Sequence, residues 1–185
     1  MSDDAHLIVE RDGHVLTVTL NRPAAKNAFS GPMLVAAADA WKELDEDPEL
    51  RVGILTGAGG DFCSGMDLKA LASGMSDDDA ARFAEDPDLH WRALLRHFRP
   101  SKPIIAAVEG YCVAGGTEIL QATELRVAGR SAQFGIAEVR RGLFPLGGST
   151  VRLQRQIGFT NAADLLLTGR SVTAEGARGM GLIGH

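Results

Sequence analysis

Short apolar segments bounded by turn residues alternate along this chain with longer segments of helical periodicity. The clearest apolar segments are VGILT at 52–56 and IIAAV at 104–108, each flanked by glycine or proline. Short runs of this kind are typical of buried strands. Residues 14–20 instead alternate apolar and polar side chains, the pattern of a strand with one buried face, and form a third predicted strand.

Helical patterns fill the chain between these strands. Over 32–45 the apolar residues recur at helical spacing, and Ser30 with Pro32 supplies the signals of a helix start. Further helices are predicted at 117–123, 150–157 and 161–168, and a further strand at 125–128. Alternating strands and helices predict an α/β domain in which most strands pair in parallel.

One segment departs from this alternation. Residues 74–88 (GMSDDDAARFAEDPD) contain six acids in fifteen residues, together with glycine and proline. Such a charge run predicts a mobile surface insertion, with an ordinary solvated face as the alternative.

Composition excludes several classes of protein. The longest run without a charge, residues 27–38, is shorter than the roughly 20 apolar residues of a membrane-spanning helix, so no membrane association is expected. A formal net charge of −5 argues against nonspecific nucleic-acid binding. Two cysteines, Cys63 and Cys112, cannot make a disulfide framework, which indicates a cytoplasmic protein. The five histidines lack metal-ligand spacing, so no metal site is expected.

Three glycine-containing junctions follow predicted buried strands: 60–69, 109–120 and 133–148. Ligand sites of parallel α/β folds usually lie at such junctions. The glycines after 52–56 do not complete a dinucleotide-binding motif, because Phe62 stands where its third glycine belongs. The phosphate-loop pattern near 142–149 lacks its lysine, and Ser64 lies outside a nucleophile-elbow motif.

Five motifs cover nearly the whole chain: NRPAAKNAFS, FCSGMDLKAL, AAVEGYCVAGGTEIL, AQFGIAEVRRGLFP and RSVTAEGARGMGLIGH. In order and spacing they resemble the crotonase superfamily of enoyl-CoA hydratases and isomerases, with the nearest similarity to the hydratases. The resemblance implies a crotonase-like (ClpP/crotonase) α/β fold, a spiral of β-β-α units. It also implies that residues 1–185 are the N-terminal core domain, without the C-terminal helices that cover the acyl pocket and build the trimer.

The same resemblance implies an oxyanion hole and a pair of catalytic acids. The thioester oxygen would bind between the backbone N–H groups of Met66 and Gly115. Hydratases of this family carry one glutamate just after the GG pair and one in the third junction, here Glu118 and Glu138. Related isomerases typically keep only the second.

Each glutamate has an expected role and a structural alternative. Glu118 is expected to act as an ionised base toward water, and Glu138, in a more apolar junction, to have a raised pKa and protonate the substrate. Alternatively, Glu118 is simply an acid favoured in a first helical turn. Glu138 would then be a solvent-exposed carboxylate or the ion-pair partner of Arg140.

The resemblance also implies a coenzyme A site. Lys26 is the candidate phosphate contact, with the backbone near Ala24 and Ala28 approaching the adenine; Asp67, Leu68 and Lys69 follow the pantetheine. The remaining binding residues within the matched motifs are Ser64, Gly65, Tyr111, Val113 and Gly116. An ordinary solvated lysine is the alternative for Lys26 and for Lys69. Cys63, Cys112 and Trp41 are predicted to be core residues.

The function implied by the resemblance is hydration of a trans-2-enoyl-CoA to the 3-hydroxyacyl-CoA, in fatty acid metabolism. No separate cofactor or metal is expected, because the substrate carries the coenzyme A. A homo-oligomer, a trimer or dimer of trimers, is expected. The alternatives are isomerisation, thioester hydrolysis or non-catalytic acyl-CoA binding.

Overall fold

Two β-sheets, flanked by helices, form the fold. The computed structural model describes residues 5–69 and 76–185. The strands are β1 (Leu7–Asp12), β2 (Val15–Leu20), β3 (Val52–Gly57), β4 (Ile104–Val108), β5 (Tyr111–Val113), β6 (Leu125–Ala128), β7 (Gln133–Gly135) and β8 (Ser171–Thr173). The helices are α1 (Gly31–Glu46), α2 (Asp77–Glu85), α3 (Leu89–Ala93), α4 (Gly115–Leu120), α5 (Ser149–Ile157), α6 (Phe159–Thr168) and α7 (Ala174–Met180). Short 3₁₀ turns occupy Pro23–Ala25, Ala58–Gly60 and Glu138–Arg141.

The larger sheet has the strand order β1-β2-β3-β4-β6, with only the β1–β2 hairpin antiparallel. The smaller sheet has the order β5-β7-β8, in which β5 and β7 are parallel. Mainly parallel pairing is therefore confirmed, as are all the strands and helices predicted from periodicity, with small shifts at their ends.

The chain moves repeatedly from one sheet to the other. β4 lies in the larger sheet and β5, three residues later, in the smaller; β6 and β7 repeat the step. Isolated bridges, Phe29 with Met66 and Cys63 with Cys112, extend the smaller layer toward the earlier turns of the chain. This succession is the spiral of β-β-α units implied by the resemblance.

Helix α1 illustrates how local signals and packing combine. The Ser30 hydroxyl accepts a hydrogen bond from the Met33 N–H and caps the helix. Trp41 of α1 is fully buried, and its Nε1 donates to the Ala93 carbonyl at 2.9 Å. Burying a side chain of this size contributes roughly 1.5–3 kcal/mol. The prediction that Trp41 is a core residue is confirmed.

Both cysteines are also core residues, as predicted. Cys63 and Cys112 are fully buried free thiols. Burial raises the pKa of the Cys63 thiol to about 12 and that of Cys112 well above its ordinary value. Neither thiol is therefore available as a thiolate nucleophile at neutral pH.

The acidic segment forms a helix over 77–85 on the surface, which the charge pattern did not predict, while its mobility stays a prediction. The Ser76 side chain accepts from the Asp79 N–H at 3.2 Å, and acids in the first turn favour a helix start through the helix dipole. Arg82 binds Asp39 of α1 at 2.7 Å. No residue of α2 is buried, which agrees with the alternative of a solvated face. Residues 74 and 75 lie outside the described residues.

Within 5–69 and 76–185, no helix has the length and apolarity needed to cross a bilayer. The same residues contain no group of three or more His, Cys, Asp and Glu side chains arranged to hold a metal ion.

Candidate active site

Two loops, one after β3 and one after β5, meet at the centre of the candidate site. The Val113 N–H donates to the Cys63 carbonyl at 2.9 Å and aligns the loops. Gly65 adopts a positive φ of 95°, and a Cβ there would lie 2.8 Å from the Ala114 Cβ and 3.2 Å from the Gly115 nitrogen. Only glycine therefore allows the backbone that leads into Met66 to lie against Gly115.

The Met66 and Gly115 amides are free to bind an oxygen atom. In the Phe29–Met66 bridge, Phe29 donates to the Gly65 carbonyl at 2.8 Å, and Asp67 donates to the Phe29 carbonyl at 3.0 Å. These bonds do not use the Met66 N–H. Among the described residues, neither the Met66 nor the Gly115 N–H finds an acceptor. Two such donors on adjoining loops form a geometry suited to a developing oxyanion.

Ala114 sets the direction of the Gly115 peptide. It has φ 51° and ψ −126°, an unfavourable conformation for a residue with a Cβ, costing about 1–3 kcal/mol. Its N–H donates to the Gly135 carbonyl at 2.8 Å, which holds the loop in place. Gly116 then lets α4 pack closely, since a Cβ there would lie 2.4 Å from the Cys63 carbonyl oxygen.

Glu118 lies in the first turn of α4 and is only 4% exposed. Its Oε2 accepts from the Gly147 N–H at 2.8 Å, and its Oε1 accepts from the Ser149 N–H at 3.1 Å. Ser149 is the first residue of α5, whose free amides favour a negative charge. Glu118 is thus a buried carboxylate held by another loop, and not merely a favourable surface acid in a first helical turn.

Glu138 begins the 3₁₀ turn Glu138–Arg141 and is partly buried. Its Oε2 is buried without a hydrogen-bond partner among the described residues. Burial, and to a lesser extent the charge of Glu118, raises the pKa of Glu138 to about 7. The expected raised pKa is confirmed. No ion pair joins Glu138 to Arg140, so neither structural alternative for this acid describes it.

Lys26 belongs to a small surface cluster with Asp61 and Tyr111. Its Nζ lies 3.7 Å from Asp61 Oδ2 and 3.7 Å from the centroid of the Tyr111 ring. Buried Asn27 donates to the Ala58 and Asp61 carbonyls and holds the loop against the end of β3. Lys26 is therefore placed by specific neighbours, although its side chain remains about half exposed.

The other predicted binding residues differ in how accessible their polar groups are. Ala24 is exposed, whereas Ala28 is buried and its carbonyl accepts from Arg22 at 2.7 Å. Arg22 also binds Asp67 at 2.9 Å. Leu68 and Lys69 are exposed beside this pair. Ser64 and Val113 are partly buried in the loops that carry Met66 and Gly115.

Comparison with known proteins identifies the family. Residues 10–185 match the family model described as enoyl-CoA hydratase/isomerase. The chain belongs to this family. It is 56% identical over 178 residues to enoyl-CoA hydratase EchA19 of Mycobacterium tuberculosis, covering 96% of this chain and 66% of that protein. It is also 36% identical to 2,3-dehydroadipyl-CoA hydratase of Escherichia coli, and the match covers 97% of this chain and 68% of that protein.

Solved structures of this family share the fold. The crystal structure of carnitinyl-CoA hydratase from Mycobacterium avium superimposes with a TM-score of 0.88 at 40% identity, covering 97% of this chain and 67% of that one. The crystal structure of an enoyl-CoA hydratase from Mycobacterium tuberculosis superimposes with a TM-score of 0.87 at 43% identity, and the match covers 97% of this chain and 68% of that one. The crotonase-like fold is therefore confirmed. The chain spans about two thirds of the length of the curated relatives it matches.

Some residues of the site in this enoyl-CoA hydratase/isomerase chain were not predicted. The sequence motifs did not indicate that Gly147 and Ser149 bind Glu118, nor that Asn27 anchors the Lys26 loop. The glycine pair before the helix start at 149 was the available signal, because such a turn presents free amides. The acid that those amides bind lies about thirty residues earlier, which local patterns do not reveal.

Proposed function

We propose that this chain provides the catalytic site of an enoyl-CoA hydratase, which converts a trans-2-enoyl-CoA and water into a 3-hydroxyacyl-CoA. The observation that carries the proposal is the joint presence of Glu118 and Glu138. One is held by two backbone amides, and the other has an unpartnered buried oxygen. Two carboxylates in such different environments suit two different proton transfers.

The free amides of Met66 and Gly115 would bind the thioester oxygen. Addition of water at the β-carbon moves electron density through the double bond onto this oxygen, so the two donors stabilise the charge that develops there. Loss of one such donor in other enzymes costs about 2.7–4 kcal/mol. Gly65 and Ala114 supply the backbone conformation that keeps both donors available.

The two glutamates would divide the proton transfers. Glu118 accepts a proton from the attacking water as the water oxygen bonds to the β-carbon. Glu138, whose pKa of about 7 leaves a large protonated fraction at neutral pH, donates a proton to the α-carbon. The sum of these steps is addition of one water, after which a proton passes from Glu118 to Glu138 through solvent to restore the starting state. Acyl-CoA and water suffice for this reaction, so it needs no further cofactor or metal.

Lys26 would contact a phosphate of coenzyme A. It is placed beside Tyr111 at the mouth of the loop that leads to the Met66 segment, and the Ser64 N–H donates to the Lys26 carbonyl at 3.0 Å. A bound phosphate would compete with Asp61 for the ammonium group. Relatives named mevalonyl-CoA, 2,3-dehydroadipyl-CoA and carnitinyl-CoA hydratase differ in their acyl group, so the assay below includes several acyl chains.

Assembly and location form part of the same proposal. Large apolar side chains that are at least half exposed support a homo-oligomer, a trimer or dimer of trimers; they are Leu68, Leu125, Leu143, Phe144, Leu146, Phe159 and Leu167. Light scattering of the purified chain measures its mass directly, and a monomer at all concentrations would contradict this assembly. The free thiols Cys63 and Cys112, adjacent but unbonded, support the cytoplasm as its location, which cell fractionation tests.

The test is hydration of crotonyl-CoA and longer 2-enoyl-CoAs, followed as loss of the conjugated thioester absorbance. Glu118→Gln and Glu138→Gln should each lower kcat by about 10²–10⁴-fold. Exposed Glu10 provides a matched Glu→Gln control, for which no loss is expected. Acyl-CoA affinity of both site variants, measured by calorimetry, should stay within a few-fold of the original.

Other outcomes distinguish the alternatives. If only Glu138→Gln abolishes turnover, a one-acid isomerase reaction is favoured. Free coenzyme A among the products would instead indicate thioester hydrolysis. Binding of acyl-CoA without turnover would favour a non-catalytic role.

A further inference from the structure

Arg152 of α5 lies behind the turn that holds Glu118. Its Nη2 donates to the Leu95 carbonyl at 2.5 Å, and its Nη1 lies 3.4 Å from the Gly147 carbonyl, at the long end of a hydrogen bond. A Cβ on Gly148 would be only 3.2 Å from Nη1. The guanidinium therefore packs directly against the Gly147–Gly148 turn and ties it to the chain before β4.

The same turn supplies both hydrogen bonds to Glu118. The Gly147 N–H and the Ser149 N–H bind its two carboxylate oxygens, while Arg152 binds the Gly147 carbonyl from the other side. We propose that Arg152 is a positioning residue, which fixes the turn so that its amides hold the Glu118 carboxylate in its position for catalysis. This role rests on the proposed function of Glu118 and adds a residue that does not itself contact the substrate.

The positive charge of Arg152 also draws it toward Glu118. Within the described residues it forms no ion pair, and Glu118 is the carboxylate that attracts it, whereas Arg96 and Arg99 repel it. Glu138 also interacts with Glu118 through its charge. Arginine keeps its charge even when partly buried. The charge of Arg152 therefore attracts the Glu118 carboxylate across the turn, in addition to the hydrogen bond to the Gly147 carbonyl.

Arg155, one turn further along α5, is a matched comparison. Its side chain is exposed and forms no hydrogen bond or ion pair with another described residue. Replacing either arginine by methionine removes one positive charge from the same helix and keeps an unbranched aliphatic side chain. Only the change at 152 removes the bonds to the turn.

Two measurements test the proposal. The first is amide hydrogen exchange by NMR in Arg152→Met, Arg152→Lys and Arg155→Met. Exchange at Gly147 and Ser149 should accelerate by about tenfold or more in Arg152→Met, because loss of about 1.4 kcal/mol of local stability gives that factor. Exchange at Gly53, whose N–H donates to the Pro103 carbonyl at 2.9 Å, should not change.

The second measurement is crotonyl-CoA hydration. Arg152→Met should lower kcat by about 10–100-fold with KM within about threefold, since misplacing a catalytic group affects the chemical step more than binding. Arg152→Lys keeps the charge but not the two-pronged guanidinium, and should give an intermediate kcat. Arg155→Met should match the original protein in both measurements.

Each result has one meaning. Equal exchange at Gly147 and Ser149 in Arg152→Met and Arg155→Met would overturn the positioning role, whether or not the chain turns over substrate. Faster exchange with unchanged kcat would overturn it as well, since Arg152 would then be only structural. If the original chain shows no turnover, the proposed function fails while the exchange data still decide whether Arg152 fixes the turn. If Arg152→Met does not fold, Arg152→Lys carries the same comparison.

Discussion

Gly147→Ala should displace Glu118 without changing any charged or catalytic group. A Cβ at 147 would lie 2.5 Å from Glu118 Oε2 and 2.8 Å from its Cδ. Cβ atoms in real proteins essentially never lie closer than 3.0 Å to another heavy atom, so the Glu118 carboxylate would have to move by at least 0.5 Å. A shift of about 1 Å would restore an ordinary van der Waals distance. Such a misplacement is expected to lower kcat about 10²-fold, and overpacking should cost about 1–3 kcal/mol of stability.

The assay is kcat and KM for crotonyl-CoA, with thermal unfolding measured on the same samples. Gly179 on α7 supplies the control, because no heavy atom lies within 4 Å of a Cβ built there. Gly179→Ala should leave kcat unchanged and stabilise the chain by about 0.4–1 kcal/mol. A Gly147→Ala variant with kcat within twofold of the original would refute the reasoning, because Glu118 would then act without its position at this turn.

Three further predictions concern pH and coenzyme A. If Glu138 donates a proton, kcat/KM should fall above about pH 7, where its pKa of about 7 leaves it ionised, and a profile flat to pH 9 would contradict this. The pKa of Glu138 is higher in the folded chain, about 7, than its ordinary value of 4.5. The free energy of unfolding therefore includes a contribution from protonated Glu138 that is fully present at low pH and is lost as the pH rises through 7. Glu138→Gln should therefore raise Tm at pH 8, by about 2–4 °C for each kcal/mol regained, and have little effect at pH 4; equal shifts at both pH values would contradict the burial argument. Lys26→Met should raise KM about 2–5-fold with kcat unchanged, while Lys42→Met, which removes an exposed lysine of α1, should alter neither; an equal KM for the two variants would exclude a phosphate contact at 26.

Local patterns identified the strands and helices well, and their failure at 77–85 is instructive. Apolar periodicity marks β3 and α1 because burial of one face is recorded in the spacing of neighbouring residues. The acidic run has no such stripe, so it suggested mobility. Yet its acids sit where the helix dipole favours them, and Ser76 caps the helix.

The candidate acids were found from motifs, but their environments depend on contacts that motifs do not record. An alternative in which Glu138 pairs with Arg140 is reasonable from sequence, since the two residues are close in the chain. In the structure the Glu138 carboxyl is partly buried with one oxygen unpaired, and desolvation raises its pKa. Burial of this kind arises from segments distant in sequence, so spacing alone cannot reveal it.

The order of strands and helices, and the residue types available for chemistry, follow from local patterns, because each element depends mainly on neighbours a few positions away. Tertiary packing alone decides what those residues can do. Glu118 meets its two donors across separations of 29 and 31 residues, and the Gly65 backbone that leads into Met66 lies against Gly115 only because two loops meet. Hydrogen bonding and desolvation act through space, so the chemistry of this site exists only once the chain has folded.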